Sequence, residues 1–305
     1  MAPMRTLVLV LAAALVVGSA WLLRDPEPVF RRRAGLLAQV DTLAEAHDGP
    51  WVEQTLRLRA SSGLTVTLAV RRAAADTAAR PLMVVLGGQR RGRGAAALVR
   101  DPHGTILAAL DYPYDGDPNP RGLVGILGQV PAIRRAFYDA PPAVSLALDH
   151  LRTLPGVDTT RVELIGASFG APFAVIAAAR DLRVTRLWVA QGGGRPFHLL
   201  RQALRPQVRS ALLRVPLAAL GTLLISGPRF APEHWIADVS PRPVVLLDAR
   251  DDERIPRISQ DALWAAAEPP KERILLDGPH MLGSRPAVVR AVVDSVMARV
   301  ASPRD

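Results

Sequence analysis

Apolar residues recur along this chain in two rhythms, and their succession predicts the architecture. Thr55–Ala60 and Leu64–Val70 alternate apolar and polar around Ser61-Ser62-Gly63. That is the period of a half-buried β-hairpin, with Leu56, Leu58, Val66 and Leu68 on one face. Leu82–Leu86 and Thr105–Leu110 read as strands buried on both faces. Val162–Ile165, Val184–Ala190, Val244–Leu247 and Arg273–Leu276 extend the series. Helical spacing governs the stretches between them: an apolar helix broken by Pro131, then Ala143–Leu154, Phe169–Arg180, Ser259–Ala267 and Pro286–Val300. Residues 31–48 read as a short surface helix. Strands alternating with helices imply a mostly parallel sheet flanked by helices on both faces, with the hairpin as an antiparallel edge. In such an α/β sheet the site lies at the carboxyl ends of the strands.

Two stretches interrupt the alternation. Thr6–Leu23 is a run of eighteen residues without a charge, closed off by Asp25-Pro26-Glu27-Pro28. Residues 1–28 are therefore expected to be an export segment and linker outside the fold, with the domain at 29–305. Either Gly18-Ser19-Ala20 is a cleavage site, or the run continues through Trp21-Leu22-Leu23 as a membrane anchor. The expected location is outside the cytoplasm: membrane-anchored, periplasmic or secreted. The second interruption, residues 195–240, contains apolar Ala211–Ile225 with Pro216 and one arginine. A helical cap over the sheet edge is expected there, and a helix dipping into lipid is the alternative.

Composition narrows the function classes. An apolar fraction of 49% over 305 residues supports a large core. The net charge is +10, and Lys271 is the single lysine among 38 basic residues. The arginines are dispersed and aromatics make up only 5%, so no basic stripe interleaved with aromatics marks a nucleic-acid interface. The chain has no cysteine, which excludes disulfides, thiolate nucleophiles and cysteine-based metal sites.

The chemistry centres on Gly166-Ala167-Ser168-Phe169-Gly170. This is Gly-x-Ser-x-Gly between a strand and a helix, the turn that lifts a serine hydroxyl clear of a sheet edge. The glycines stand where a Cβ would collide with the neighbouring strand and helix. A serine hydroxyl needs a base, and the base an orienting carboxylate, each just after a later strand. Val244–Leu247 leads into Asp248-Ala249-Arg250-Asp251-Asp252-Glu253-Arg254-Ile255-Pro256, where four acids compete. The Asp-x-x-Ile-Pro spacing favours Asp252, with Asp251 the runner-up. Arg273–Leu276 leads into Asp277-Gly278-Pro279-His280, and of six histidines only His280 sits on the loop leaving a core strand. Oxyanion donors are expected in the N–H of Phe169 and, from Gly87-Gly88-Gln89, the N–H of Gln89, with Gly88 the second choice.

These loops, in the order Ser…Asp…His, make residues 50–300 resemble the α/β-hydrolase superfamily. Within it, Leu154-Pro155-Gly156-Val157-Asp158…Arg161-Val162 is similar to dienelactone-hydrolase-like and prolyl-oligopeptidase-like esterases. The sequence departs from many members in carrying Gly87-Gly88 in place of His-Gly. The resemblance implies a serine hydrolase: His280 deprotonates Ser168, Asp252 holds the imidazole, and an ester is cleaved through an acyl-enzyme without metal or organic cofactor. A small-molecule ester is the implied substrate, and membrane association would run through the N-terminal segment. A peptidase or amidase of the same fold is the alternative, followed by a non-catalytic membrane-attached scaffold.

Overall fold

The computed structural model describes residues 26–74, 78–88, 91–99, 102 and 104–301. Thr6–Leu23 and Gln89 lie outside the described residues, and with them the expected export segment and the first-choice oxyanion donor. Among the described residues no helix is long and apolar enough to cross a membrane.

Nine strands form one sheet: β1 Leu37–Asp48, β2 Trp51–Ala60, β3 Thr65–Ala73, β4 Arg80–Leu86, β5 Ile106–Leu110, β6 Val157–Ala167, β7 Arg186–Ala190, β8 Val244–Ala249 and β9 Lys271–Leu276. Their spatial order is β1-β2-β3-β5-β4-β6-β7-β8-β9. The pairs β1–β2, β2–β3 and β3–β5 are antiparallel, and every pair from β5 to β9 is parallel. The expected α/β sheet with an antiparallel edge is thus present. Leu56, Leu58, Val66 and Leu68 are all buried on one face of the hairpin.

The helices are α1 Glu27–Ala34, α2 Gly122–Gly128, α3 Val130–Leu151, α4 Ala171–Arg180, α5 Pro196–Ala203, α6 Ala211–Leu224, α7 Arg257–Ala266 and α8 Pro286–Ala301. On one face of the sheet Leu82, Val84 and Leu86 pack with Val144 and Leu148 of α3 and Phe173 of α4. On the other, Met83, Val85 and Ile165 pack with Val296 and Met297 of α8. Alternate residues of β4 therefore serve opposite layers, as the period of two demands.

The N-terminal expectations require correction. Residues 31–48 do not form one helix: α1 ends at Ala34 and the rest is edge strand β1. Leu37, Val40 and Ala44 recur at helical spacing, but only Leu37 packs against the core, while Val40 and Ala44 are exposed. The strand follows β2 by backbone pairing from Leu37↔Ala60 to Asp48↔Trp51, with irregularities between Leu37 and Gln39 and between Thr42 and Ala44. Such bulges erase the alternation that marks a strand in sequence. The expected boundary at residue 28 falls inside α1. Pro28 sits in its first turn, where a missing N–H removes no helical bond. Phe30 is fully buried against Tyr138, Phe230 and Trp235. Likewise Pro131 opens α3 instead of breaking a helix, and the helix expected at Ala143–Leu154 is the second half of α3.

Parallel register places the functional loops side by side. Leu86 pairs with Gly166, Ala167 with Ala190, Ala190 with Leu247, and Ala249 with Leu276. The carboxyl ends of β4, β6, β7, β8 and β9 accordingly share one rim.

Candidate active site

At that rim β6 ends on Ala167, and a 3-10 turn, Ser168–Gly170, leads into α4. Ser168 has φ +52°, a left-handed conformation that costs a non-glycine residue about 1–2 kcal/mol. The turn is held by close packing. A Cβ on Gly166 would lie 2.6 Å from Ala174 Cβ, and one on Gly170 would lie 2.2 Å from the Leu86 carbonyl oxygen. Only glycine allows strand and helix to approach this closely around the serine.

The structure brings Ser168, His280 and Asp252 into one hydrogen-bonded chain. Ser168 Oγ lies 2.8 Å from His280 Nε2. His280 Nδ1 lies 2.8 Å from Asp252 Oδ2 and 3.0 Å from Oδ1. Both the imidazole and the carboxylate are 1% exposed. A proton on Nδ1 satisfies the carboxylate and leaves the Nε2 lone pair to accept the serine proton. Asp252 Oδ1 also accepts the backbone N–H groups of Arg254 and Ile255, each at 2.8 Å. Those two bonds turn the carboxylate inward. Asp251, one residue earlier, is exposed.

A cavity of about 1200 Å³ opens onto Ser168 and His280. One wall comes from Met83, Val85 and Ile165 of the sheet with Val292, Val293 and Val296 of α8. The other lies beneath the 195–240 segment, with Phe137, Leu199, Leu200 and Phe230. Among the described residues His280 is the one histidine on the cavity wall.

No protein-family model matches the sequence. The uncharacterized protein YfhR of Salmonella typhi and that of Salmonella typhimurium (strain LT2) are each 27% identical over 136 residues, 44% of this chain and 45% of theirs. The match thus spans less than half the length of these curated relatives. The acetyl xylan esterase from Paenibacillus sp. R4 superposes with a TM-score of 0.63 at 17% identity, covering 88% of this chain and 91% of that one. Acetyl xylan esterase 1 from Thermoanaerobacterium sp. JW/SL YS485 gives 0.62 at 13% identity, covering 92% and 94%. The protein has the α/β-hydrolase fold.

Ser168 stands on the turn between β6 and α4, and the loop after β4 lies next to it. Gly87, Gly88 and Phe169 line the cavity beside Ser168. Tyr112 braces this loop, its hydroxyl donating to the Gly87 carbonyl. Burial pushes the Tyr112 phenol well above its ordinary range, which keeps it a neutral donor. Its ring packs edge-on against Phe169 at 5.3 Å and Phe173 at 5.7 Å.

Three supports of the histidine loop escaped the sequence reading. The carboxylate of Glu253 accepts the backbone N–H of His280 at 3.0 Å. Arg285 Nη1 donates to Glu253 at 2.6 Å and to the His280 carbonyl at 2.9 Å. Gln191, fully buried with φ +50° just past β7, accepts the N–H of Met281 through Oε1. Glu253 was visible as one acid of four, but nothing in the local pattern marks it, Gln191 or Arg285. All three reach His280 or Met281 from segments distant in sequence or across a turn. Among the described residues no cluster of three or more His, Cys, Asp or Glu side chains is arranged to hold a metal ion.

Glu253 has a testable acid signature. Burial opposes its ionisation, but the His280 N–H, its own N–H and the Arg285 guanidinium prevail. They hold the carboxyl at about 2, against an ordinary 4.5. A depressed carboxyl stabilises the fold above the unfolded value and loses that contribution as pH falls through the folded one. Glu253→Gln should therefore melt below the wild type at pH 5, with the gap closing between about 4.5 and about 2. Thermal unfolding followed across that range measures it; a gap independent of pH excludes the charged clamp.

Proposed function

We propose that this chain is a serine-dependent carboxylic-ester hydrolase acting on apolar acyl esters. The observation that carries the proposal is the hydrogen-bonded Ser168–His280–Asp252 chain, its imidazole and carboxylate buried, opening onto an apolar cavity. The names of the fold neighbours, acetyl xylan esterases among them, point to ester cleavage in the same direction.

The chemistry follows from the geometry. Ser168 Oγ attacks the ester carbonyl while its proton passes to His280 Nε2. Asp252 holds the imidazole in the required tautomer and offsets the charge of the imidazolium. The oxyanion meets the Phe169 N–H and a second N–H from the Gly87-Gly88-Gln89 loop, at the N-terminal end of α4. His280 then hands the proton to the departing alcohol, leaving an acyl-Ser168. Water attacks that ester with His280 again as base, and the acid departs. An intermediate sealed against an apolar wall suits an acyl group without charge, since burying an unpaired carboxylate there would be costly.

Cavity size supports the proposed substrate class. At about 1200 Å³ it exceeds the ~300–1,000 Å³ of ordinary small-ligand pockets. The wall against α8 offers apolar side chains to an extended acyl chain. A p-nitrophenyl ester series from acetate to dodecanoate, together with fluorophosphonate labelling, tests this reading. Labelling at Ser168 and a kcat/KM maximum beyond the acetate are expected. Val293→Phe, placed on the α8 wall, should move that maximum to shorter chains. Absence of labelling would sink the serine mechanism, and faster turnover of peptide anilides than of any ester would reassign the enzyme to amide substrates.

A further inference from the structure

One helix of the 195–240 segment is inside out with respect to water. In α6 the residues facing the domain are small: Ala218 is fully buried and Thr222 is 7% exposed. Gly221 lies so close to α5 that a Cβ there would meet Leu200 Cδ2 at 2.7 Å. The large apolar residues point the other way. Leu212 is 88% exposed, Leu213 61% and Leu220 54%, and Val215, Leu217 and Leu223 are also exposed. At 100° per residue these six cover an arc of roughly 200°. A helix of a water-facing domain shows the opposite order, so this face is built for a medium that accepts leucine.

Charge identifies that medium. From Arg195 to Pro232 the chain has six arginines and no Asp or Glu. Arg195 at the N-cap of α5, Arg201 on it, and Arg205 and Arg209 in the segment leading from it into α6 are exposed. An apolar face with exposed arginines in the adjoining segment and no acidic residue between them is complementary to an anionic bilayer surface, where acyl chains take the leucines and headgroup phosphates meet the guanidinium groups. Phe30 of α1 packs 6.1 Å from Phe230, six residues beyond the end of α6. Leu199 and Leu200 of α5, against which α6 packs, line the cavity over Ser168.

We infer that α6 docks into the interfacial layer of an anionic lipid bilayer, with its leucine face among the acyl chains and the arginines of 195–209 on the headgroups. The cavity would then open at the lipid surface, and an apolar ester could reach Ser168 without crossing bulk water.

The absence of cysteine gives a clean test. Full-length Leu213→Cys and Leu220→Cys, and Leu182→Cys on a distant exposed turn as control, would each carry an environment-sensitive fluorophore. Each is reconstituted with phosphatidylcholine vesicles, with or without about 30 mol % phosphatidylglycerol. The expected result is at least about a twofold rise and a blue shift at 213 and 220 on the anionic vesicles. Quenching by brominated lipid and loss of the signal in high salt should accompany it, with no change at 182. Three outcomes would overturn the inference. Positions 213 and 220 could stay water-exposed on both vesicles. The response could be equal without anionic lipid. Or both positions could be shielded yet untouched by brominated lipid, which assigns the face to a protein segment or a second copy. The readout needs no turnover, so it stands or falls separately from ester hydrolysis.

Discussion

Replacing Ser168 by alanine is expected to lower kcat/KM for p-nitrophenyl acyl esters by about 10⁴-fold or more and to abolish fluorophosphonate labelling. In the proposed mechanism Ser168 Oγ forms the new bond, and among the described residues no other nucleophile is hydrogen-bonded to His280 Nε2. What survives in the variant is binding and oxyanion stabilisation, which support only a weak water reaction. The fold should persist. Alanine carries the same Cβ at φ +52°, and the glycines that set the elbow are unchanged. The variant should therefore unfold within a few degrees of the wild type, which separates loss of chemistry from loss of structure. Activity within tenfold of wild type would place the reaction elsewhere on the molecule.

Asp252→Asn should cost about 10⁴-fold in kcat, whereas Asp251→Asn should stay close to wild type. The asparagine keeps the size of the side chain and an oxygen for the Arg254 and Ile255 N–H groups. It removes the acceptor that holds the proton on His280 Nδ1 and the charge that offsets the imidazolium. If its amide N–H₂ faces the ring, the imidazole is pushed into the tautomer whose Nε2 already bears a proton and can no longer accept from Ser168. Asp251 has neither contact, being exposed on the same loop. Single-turnover acylation rates of the two variants read the difference directly. Equal losses at both positions would contradict the assignment of the orienting carboxylate.

Much of this was legible in the chain because it rests on local backbone geometry. The elbow is a contiguous motif whose glycines are required within five residues of the serine. The parallel strands announce themselves as apolar runs, and His280 stands directly after the last of them. The β1 edge was illegible for a matching reason: its side chains bury almost nothing, so its identity comes from backbone pairing with β2, which leaves no hydrophobic period. A helical spacing in which only Leu37 meets the core is an accident of composition, and pairing overrode it.

The sequence by itself determined the order of the strands from β2 to β9, the Gly-x-Ser-x-Gly turn at Gly166–Gly170 and the three loops from which its partners come. Tertiary structure decided which groups on those loops meet. Adjacent acids differ in sequence by one position and in space by the direction of a carboxylate. Two backbone N–H groups turn Asp252 inward, and nothing equivalent turns Asp251. Glu253, Arg285 and Gln191 act through bonds to the His280–Met281 segment, so their function exists only once β7, β8 and β9 lie side by side. The same holds for α6, whose apolar composition reads alike for a buried or an exposed helix. Packing of Ala218 and Thr222 inward is what leaves its leucines outside.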